Sequence, residues 1–456
     1  MLQFRRLFLL TAVAVLVLVA TSLAFTQRSS SSAVPSLIPT LTQPPTPTPT
    51  PAPTKTAFNF PTLAAAPGPA STALPASATP MPPAPTPTVA PSATYLPPNL
   101  PLTAEAEAAA ADTMTPLETL DETTVKYTVT IGDAYGRREP NMDSDQYQPL
   151  KRGQSYTVTA QTGDGIWLSL QMPQVGQTVW VPAAFGLTRG NRQQVPFAGA
   201  IIPTEPVPAE GEINPPAAYP YLSAIGLRAR DIYQYGQLVG NNPRAFMKIG
   251  DCQAVYPFFL SAFDNPQSYK LGSDYAYLQA VIRQFSGSFA RNSVAAQTGF
   301  GTATELDPQW ANPNECHPGE SPLVCEYRSM RPSLAIISLG TNDIWQPDGR
   351  HEKNMRQILD YLIHQGVVPI LSTKADNVEG DDSFNRLMVQ LAAEYQLPLW
   401  DFWEVTRSLP EFGLVDTYHL SWGPSNFDDP KNMALGWPWR NLTALQALDA
   451  VWRAVR

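Results

Sequence analysis

Met247-Lys248-Ile249-Gly250-Asp251-Cys252-Gln253 is the stretch around which the C-terminal half of this 456-residue chain is organised. An apolar run begins at Ala245 and breaks at Gly250, which is typical of a buried strand that ends in a turn. In open parallel sheets, ligands bind just outside the carboxyl ends of the strands. The thiol of Cys252 is therefore well placed to act as a nucleophile.

Two later stretches predict partners for this thiol. Gly340-Thr341-Asn342-Asp343 follows a second apolar run, and Asp416-Thr417-Tyr418-His419 lies near the C-terminus. A nucleophile needs a base within hydrogen-bond reach, and the base needs a group that fixes its tautomer. We expect His419 to take the proton of Cys252 and Asp416 to orient the imidazole. Asn342 can donate its side-chain amide to the oxyanion that forms during acyl transfer.

The segment from Tyr221 onward alternates strand and helix patterns. The spacing predicts strands at 245–249, 288–292, 334–339, 367–371 and 397–402, and helices at 224–239, 275–285, 351–364, 384–395 and 442–455. Such alternation predicts a parallel sheet with helices on both faces, joined by right-handed crossovers. The fold class is therefore three-layer α/β.

With these motifs in order, residues 221–456 resemble an SGNH/GDSL hydrolase, a family with a flavodoxin-like sheet and acyl-ester substrates. Gly250-Asp251-Cys252 matches the first block of the family, with Cys in place of the nucleophilic Ser. Gly340-Thr341-Asn342-Asp343 matches the third block, and Asp416-Thr417-Tyr418-His419 matches the last. The resemblance implies a catalytic triad of Cys252, His419 and Asp416 and no cofactor. It also implies that Asn342 and the loop at Gly340 stabilise the oxyanion.

The second block of the family supplies a backbone donor and is the weakest match here. It should lie within residues 292–299, where Ala296 is the preferred equivalent and Gly299 the alternative. Either residue can present a backbone N–H to the oxyanion.

The cysteine leaves three functions open. A thiolate beside an imidazole is a good nucleophile, which predicts an esterase, deacylase or acyltransferase acting on O-acyl groups of cell-wall or extracellular polysaccharide. A site shaped around a hydroxyl can misplace the longer C–S bond, and the domain would then be a catalytically silent glycan-binding module. The third alternative is a structural spacer at the cell surface.

Residues 122–190 have a different character. Short alternating segments at 127–130, 155–159 and 178–181 are separated by turn residues, which predicts a small all-β barrel that is separate from the rest of the chain. Arg137-Arg138-Glu139-Pro140 and Gly165-Ile166-Trp167-Leu168 give the segment a resemblance to bacterial SH3-like domains. That resemblance implies binding of cell-wall peptides or glycans, although Trp167 and Trp180 fit a core role better than a ligand-binding one.

The remaining segments indicate export. Arg5-Arg6 precedes an uncharged apolar run at 7–25, so residues 1–28 are either a signal peptide or an N-terminal membrane anchor. Residues 29–121 and 191–220 are rich in proline, of which the chain has 48, and are predicted to be a disordered stalk and a linker. The protein is expected outside the cell or at its surface, in contact with the membrane only through residues 7–25.

Charge and cysteine content exclude other functions. The formal net charge is −9 and no basic cluster is present, so nucleic acid is not an expected partner. Cys316 and Cys325 are expected to form a disulfide in an exported protein, which leaves Cys252 free. No histidine or cysteine cluster has metal-ligand spacing, so no metal is expected. His351 and His364, at the ends of one predicted helix, are expected at the surface.

Tryptophans are concentrated near the candidate site. An insertion at 423–439 follows His419 before the final helix. The tryptophans in and around it fit either a sugar-binding rim or the core, and the sequence does not decide between these: Trp310, Trp345, Trp422, Trp437 and Trp439.

Overall fold

The computed structural model describes residues 124–174, 176–198, 219–346 and 349–456, all within one compact unit. The predicted leader, the stalk up to residue 121 and most of the 191–220 linker lie outside the described residues. No helix in the described part of the chain is long and apolar enough to cross a membrane.

The N-terminal described segment, here called the β module, is a seven-stranded antiparallel sheet. Its strands are β1 Lys126–Val129, β2 Ala134–Arg137, β3 Gln146–Leu150, β4 Ser155–Gln161, β5 Trp167–Gln171, β6 Thr178–Pro182 and β7 Gly186–Arg189. The spatial order is β3-β2-β6-β5-β4-β1-β7. Apolar residues alternate inward along β1 and β4, as the period-2 pattern predicts. Trp167 is buried in this core, whereas Trp180 is partly exposed.

The C-terminal domain is built on a four-stranded parallel sheet. Its strands are β8 Asn242–Gly250, β10 Pro332–Ser338, β11 Val368–Ser372 and β12 Leu399–Trp400, in the order β12-β11-β10-β8. A separate short pair joins β9 Tyr269–Lys270 to β13 Ser425–Asn426. Every residue of β10 and β11 is buried, because the sheet is covered on both faces.

The covering helices follow the predicted alternation. They are α1 Leu227–Leu238, α2 Gln279–Gln284, α3 Thr302–Leu306, α4 Pro322–Met330, α5 Arg350–His364, α6 Ser383–Tyr395, α7 Phe402–Thr406 and α8 Gly436–Val455. Helix α1 packs on α8 and on strands β10 and β11, α4 packs on β8, and α5 and α6 pack on β11. The last helix begins at Gly436 rather than Leu442, so the predicted insertion after His419 is shorter than its sequence suggested.

The predicted strand at 288–292 is wrong. No strand lies there, because side chains satisfy the outer edge of β8 instead of a backbone ladder. Ser288 Oγ accepts from the Phe246 N–H (3.4 Å), and Ser293 Oγ donates to the Lys248 carbonyl (2.7 Å). Among the described residues, the sheet is extended in this direction by a single isolated bridge, between Gly250 and Ala296.

The β module is not spatially separate from the α/β domain, contrary to the expectation of an independent barrel. Nη1 of Arg192 lies 2.8 and 2.9 Å from the two carboxylate oxygens of Asp231 on α1 and forms an ion pair with it. Arg228, also on α1, is 3% exposed and donates to Thr130 Oγ1 (2.8 Å) and to the Gly186 carbonyl. Since a buried guanidinium is costly unless its donors are satisfied, these contacts fix how the two parts pack.

Candidate active site

Two glycines bring the candidate loops together at the carboxyl ends of neighbouring strands. Ser338 of β10 pairs with Gly250 of β8, so the residues that follow each strand are adjacent. A Cβ at Gly250 would lie 2.5 Å from the Ser338 carbonyl oxygen, which makes this close approach possible only for glycine. Gly340 has a φ of +137°, a conformation that side chains disfavour. Glycine is therefore required at Gly250 for the close approach of the two strands, and at Gly340 for the positive φ.

Asp251 and Gln253 shape the turn that carries Cys252. The Asp251 carboxylate accepts from the Gln253 N–H (3.0 Å), and the Gln253 carbonyl accepts from Nε of Arg440 on α8 (2.6 Å). Arg440 is completely buried, and its guanidinium carbon lies 4.7 Å from the ring of Phe402. Burial raises the pKa of Asp251 to about 7 and lowers that of Arg440 to about 10. Asp251 therefore caps the turn that carries Cys252.

A second buried carboxylate, Asp376, connects the candidate loops. Its Oδ2 accepts from Thr341 Oγ1 (2.7 Å) and from Gln253 Nε2 (3.2 Å), and its Oδ1 pairs with Lys374 Nζ (2.7 Å). The same Gln253 Nε2 donates to the Tyr418 carbonyl (3.0 Å), next to His419. The first, third and last blocks are thus joined through the Gln253 amide and Asp376.

Cys252 is an unpaired, partly buried thiol in this arrangement. Burial, followed by the negative charges of Asp251 and Asp376, raises its pKa to about 12. The distant Arg440 cation opposes this shift only in part. The environment therefore disfavours a resting thiolate and differs from the electropositive surroundings that activate most nucleophilic cysteines.

His419 and Asp416 form a hydrogen-bonded pair. Nδ1 of His419 lies 2.7 Å from Asp416 Oδ2, and the other carboxylate oxygen accepts the backbone N–H groups of Tyr418 (3.0 Å) and His419 (2.7 Å). The hydrogen bonds from Tyr418 and from the imidazole hold the pKa of Asp416 at about 2. Both side chains are about half exposed (49%). The pair leaves Nε2 of His419 available to a nucleophile.

No hydrogen bond joins Cys252 to His419 in the described structure. The hydrogen bond from Gln253 to the Tyr418 carbonyl joins the loops that carry Cys252 and His419. The Cys252–His419–Asp416 triad stays a prediction. Hydrogen bonds of this kind are often formed only once substrate is bound.

The candidate oxyanion donors differ in whether their N–H groups are already used in hydrogen bonds within the protein. Nδ2 of Asn342 donates one hydrogen to the Phe300 carbonyl (2.8 Å) and retains a second. The Ala296 N–H donates to the Ser293 carbonyl (3.3 Å), whereas the N–H of Gly299 makes no hydrogen bond to the described residues. Gly299 has a φ of +86° and is exposed. Gly299 therefore keeps an unused N–H, whereas Ala296 forms the isolated bridge to Gly250; which of the two is the second-block donor stays a prediction.

The expectation of a surface position for His351 is wrong. His351 is 4% exposed, and its Nδ1 lies 3.3 Å from Asp343 Oδ1. The same Asp343 oxygen accepts the N–H (2.8 Å) and Oγ1–H (2.6 Å) of Thr302, so Asp343 caps the start of α3. Glu305 on that helix is fully buried, and burial keeps its pKa well above the usual range.

The tryptophans divide into core and surface groups. Trp437 is 8% exposed and stacks on Phe258 (5.5 Å), and Trp439 donates to the Met433 carbonyl (2.6 Å). Exposed aromatic side chains within a few residues of Cys252, Asn342 or His419, here called the aromatic rim, are Tyr256, Phe258, Trp345, Tyr418 and Trp422. Trp310 is also exposed and packs edge-on against Phe300 (6.0 Å).

Cys316 and Cys325 are joined by a disulfide beside α4. Among the described residues, a group with metal-ligand spacing occurs only at these two cysteines and Glu320. Because the sulfurs are bonded to each other, they are not thiolate ligands.

Comparison with known proteins places the C-terminal domain. Residues 262–422 match the model of the GDSL-like Lipase/Acylhydrolase family, so this segment of the chain is similar to that family. Asn342, Asp416 and His419 lie inside the matched segment, and the Gly250-Asp251-Cys252 block precedes it. A search of curated proteins finds no match.

A comparison with solved structures also returns the following two proteins, among others. One is a catalytic mutant of Axe2, an acetylxylan esterase from Geobacillus stearothermophilus (16% identity, 46% of this chain, 95% of that chain, TM-score 0.29). Another is a GDSL-like lipase from Bacteroides thetaiotaomicron (12% identity, 50% of this chain, 98% of that chain, TM-score 0.28).

Proposed function

We propose that this protein is an exported acyl hydrolase that removes O-acyl groups from cell-wall or extracellular polysaccharide with Cys252 as its nucleophile. The observation that carries the proposal is the convergence of Cys252, Asn342 and the His419–Asp416 pair at one end of the sheet, joined by Gln253 and Asp376. The match to the acylhydrolase family supports ester chemistry. The apolar run at 7–25 supports export.

The proposed reaction begins with a neutral thiol, because the pKa of Cys252 is about 12. Sγ of Cys252 attacks the ester carbonyl while Nε2 of His419 takes the thiol proton. The imidazolium is stabilised by the Asp416 carboxylate. The oxyanion is stabilised by the Asn342 amide and by the backbone N–H groups of Cys252 and Gly299.

Collapse of this intermediate breaks the C–O bond, and His419 protonates the departing sugar oxygen. The product is a thioester on Cys252 and a free hydroxyl on the polysaccharide. Water then attacks the thioester carbonyl with His419 as the base, which releases the carboxylic acid and restores the thiol. If a second alcohol attacks instead of water, the same site performs acyl transfer.

The aromatic rim supports a polysaccharide as the substrate. Its Trp345 is 83% exposed and its Trp422 is 65% exposed, which is unusual for tryptophan unless the surface binds a partner. Flat aromatic faces match the C–H face of a pyranose ring, whereas an acyl-chain pocket would be aliphatic and enclosed. The β module is proposed to add affinity for cell-wall peptide or glycan.

A second candidate function is a silent glycan-binding module. Two observations favour this alternative. The pKa of Cys252 is raised, and within the described part of the chain no hydrogen bond joins Cys252 to His419. In that case, the rim would bind polysaccharide and no acyl group would be released.

The test is hydrolysis of p-nitrophenyl acetate and release of acetate from acetylated xylan by the full chain. We expect activity in the wild type, and its loss in Cys252→Ala and His419→Ala. Trp345→Ala should raise KM for the polymer and leave the small ester unaffected. Polymer binding without release of acetate in the wild type would reject hydrolysis and support the silent module.

A further inference from the structure

We propose a second ligand site, separate from the candidate active site, in a cleft between the β module and the α/β domain, and we assign to it an oligosaccharide that carries carboxylate groups. The cleft has a volume of about 680 Å³, within the range of small-ligand sites, and domain interfaces are a common place for such sites. Its walls include Tyr135, Arg137 and Gln146 on one side, and Arg331, Gln357 and Tyr361 on the other.

The cleft lies at the opposite end of the sheet from Cys252. Arg331 immediately precedes β10 and Gln365 precedes β11, whereas Gly340 and Asn342 follow β10. A seven-residue strand is about 20 Å long, so this length separates the two sites. None of the candidate catalytic residues lines the cleft.

Contacts across the interface hold the walls of the cleft in place. Asp360 pairs with Arg152 and accepts the Gly132 N–H (3.1 Å), and His364 Nε2 lies 2.8 Å from the Gly132 carbonyl. Phe185 packs edge-on against Tyr235 (5.1 Å) and against His364 (4.8 Å). The space is thus preformed between two docked surfaces, which lowers the entropy cost of binding.

The lining offers neutral hydrogen-bonding groups beside aromatic rings. The side-chain amides of Gln146, Gln357 and Gln365 make no hydrogen bonds with the described residues, and each has donors and acceptors to offer. Tyr361 packs edge-on against Tyr327 (5.9 Å) and keeps part of its ring exposed. Amides beside aromatic rings match the hydroxyl rim and the C–H face of a sugar.

The charges of the lining specify an acidic ligand. Arg137 and Arg331 donate to backbone carbonyls and face no carboxylate partner among the described residues. The charge of Asp360 is neutralised by Arg152. The charges that remain in the lining are the carboxylate of Asp133 and the two guanidinium groups, which gives a net positive charge. A guanidinium binds carboxylate through paired hydrogen bonds, so uronic acid units fit better than neutral sugars.

This inference rests on the proposed function only for the class of ligand, and it concerns binding rather than turnover. The polymer would be held at this cleft while the active site acts elsewhere along the same chain. Tethering of this kind raises the effective concentration of the polymer at the second site.

Isothermal titration of the full-length chain with hexagalacturonate tests the proposal. We expect saturable 1:1 binding, weakened about tenfold by Arg331→Gln, the size expected for one charge-assisted hydrogen-bonded contact. Gln357→Ala should weaken it several-fold, whereas Gln390→Ala, an exposed glutamine of α6 outside the cleft, should not. Cys252→Ala should bind as the wild type does, which separates this site from the failure or success of hydrolysis.

Three results would overturn the assignment. The first is no saturable binding, and the second is binding unchanged in both cleft variants. The third is equal affinity for xylohexaose, a neutral hexamer, or tighter binding of hexaglutamate, which would make the ligand a neutral glycan or an acidic peptide.

Discussion

Arg440→Met is predicted to destabilise the protein by about 3–4 kcal/mol, because it removes a fully buried cation that supports the Cys252 loop. The variant leaves the Gln253 carbonyl without its donor at 2.6 Å and leaves Ser338 Oγ without its guanidinium contact. A charge-assisted hydrogen bond contributes roughly 1.5–3 kcal/mol. Stacking on Phe402 and the neighbouring rings adds about 2 kcal/mol when desolvated.

The variant also removes an unfavourable contribution to stability, namely the desolvation free energy of the buried Arg440 guanidinium. Methionine refills part of the volume between the aromatic rings, which keeps the net loss below the sum of these terms. The same change removes the positive charge that opposes Asp251 and Asp376, so the pKa of Cys252 should rise further and its alkylation should slow.

Urea unfolding followed by tryptophan fluorescence measures the loss as a lower midpoint at unchanged slope. Arg356→Met is the matched control, because Arg356 pairs with Glu352 and Glu394 on the surface and its loss should cost less than about 1 kcal/mol. A loss of under 1 kcal/mol in Arg440→Met, equal to the control, would refute the view that this cation supports the site.

Three further predictions concern the buried groups of the site. Burial raises the pKa of Asp251 from 3.8 to about 7. Its contribution to stability is therefore fully present below pH 4 and is lost as pH rises through about 7. In urea titrations, Asp251→Asn should make the free energy of unfolding depend less on pH over this range. Gly340→Ala should lower the free energy of unfolding by about 1–3 kcal/mol, because φ is +137° and the new Cβ would lie 3.2 Å from Lys374. A thermal unfolding midpoint equal to that of the wild type would contradict this. Asp376→Asn should lower kcat on p-nitrophenyl acetate about tenfold or more with little change in KM, while the exposed Asp381→Asn is neutral; equal kinetics in both variants would remove the positioning role of Asp376.

The sequence predicted most elements of the α/β domain, because buried parallel strands and amphipathic helices leave strong local patterns. The run at 334–339 became β10, and the helical spacing at 351–364 became α5. The strand expected at 288–292 failed because Ser288 and Ser293 satisfy the edge of β8 with their side chains. Local propensity contains no information about such long-range hydrogen bonds.

The candidate site was only partly predictable from motifs. Cys252, Asn342, Asp416 and His419 lie in recognisable blocks, whereas Asp376 and Arg440 lie in segments without any motif. Their roles come from burial and from contacts between distant elements, such as Arg440 on the final helix reaching the Gln253 carbonyl.

The docking of the β module on the α/β domain had no sequence signal either. Proline-rich composition between residues 195 and 220 predicted two independent parts, and composition does not report complementary surfaces. The ion pair of Arg192 with Asp231 and the buried Arg228 emerge only when both parts are folded.

Intact-mass spectrometry of the full chain after incubation with p-nitrophenyl acetate shows whether Cys252 forms a covalent acyl intermediate. We expect an acetyl adduct on the wild type that decays with time, is absent from Cys252→Ala and accumulates only slowly in His419→Ala. An unmodified wild type, together with an adduct and turnover in Cys252→Ser, would rule out the thiol as the nucleophile and would leave a glycan-binding domain whose hydrolytic site is silenced by its sulfur atom.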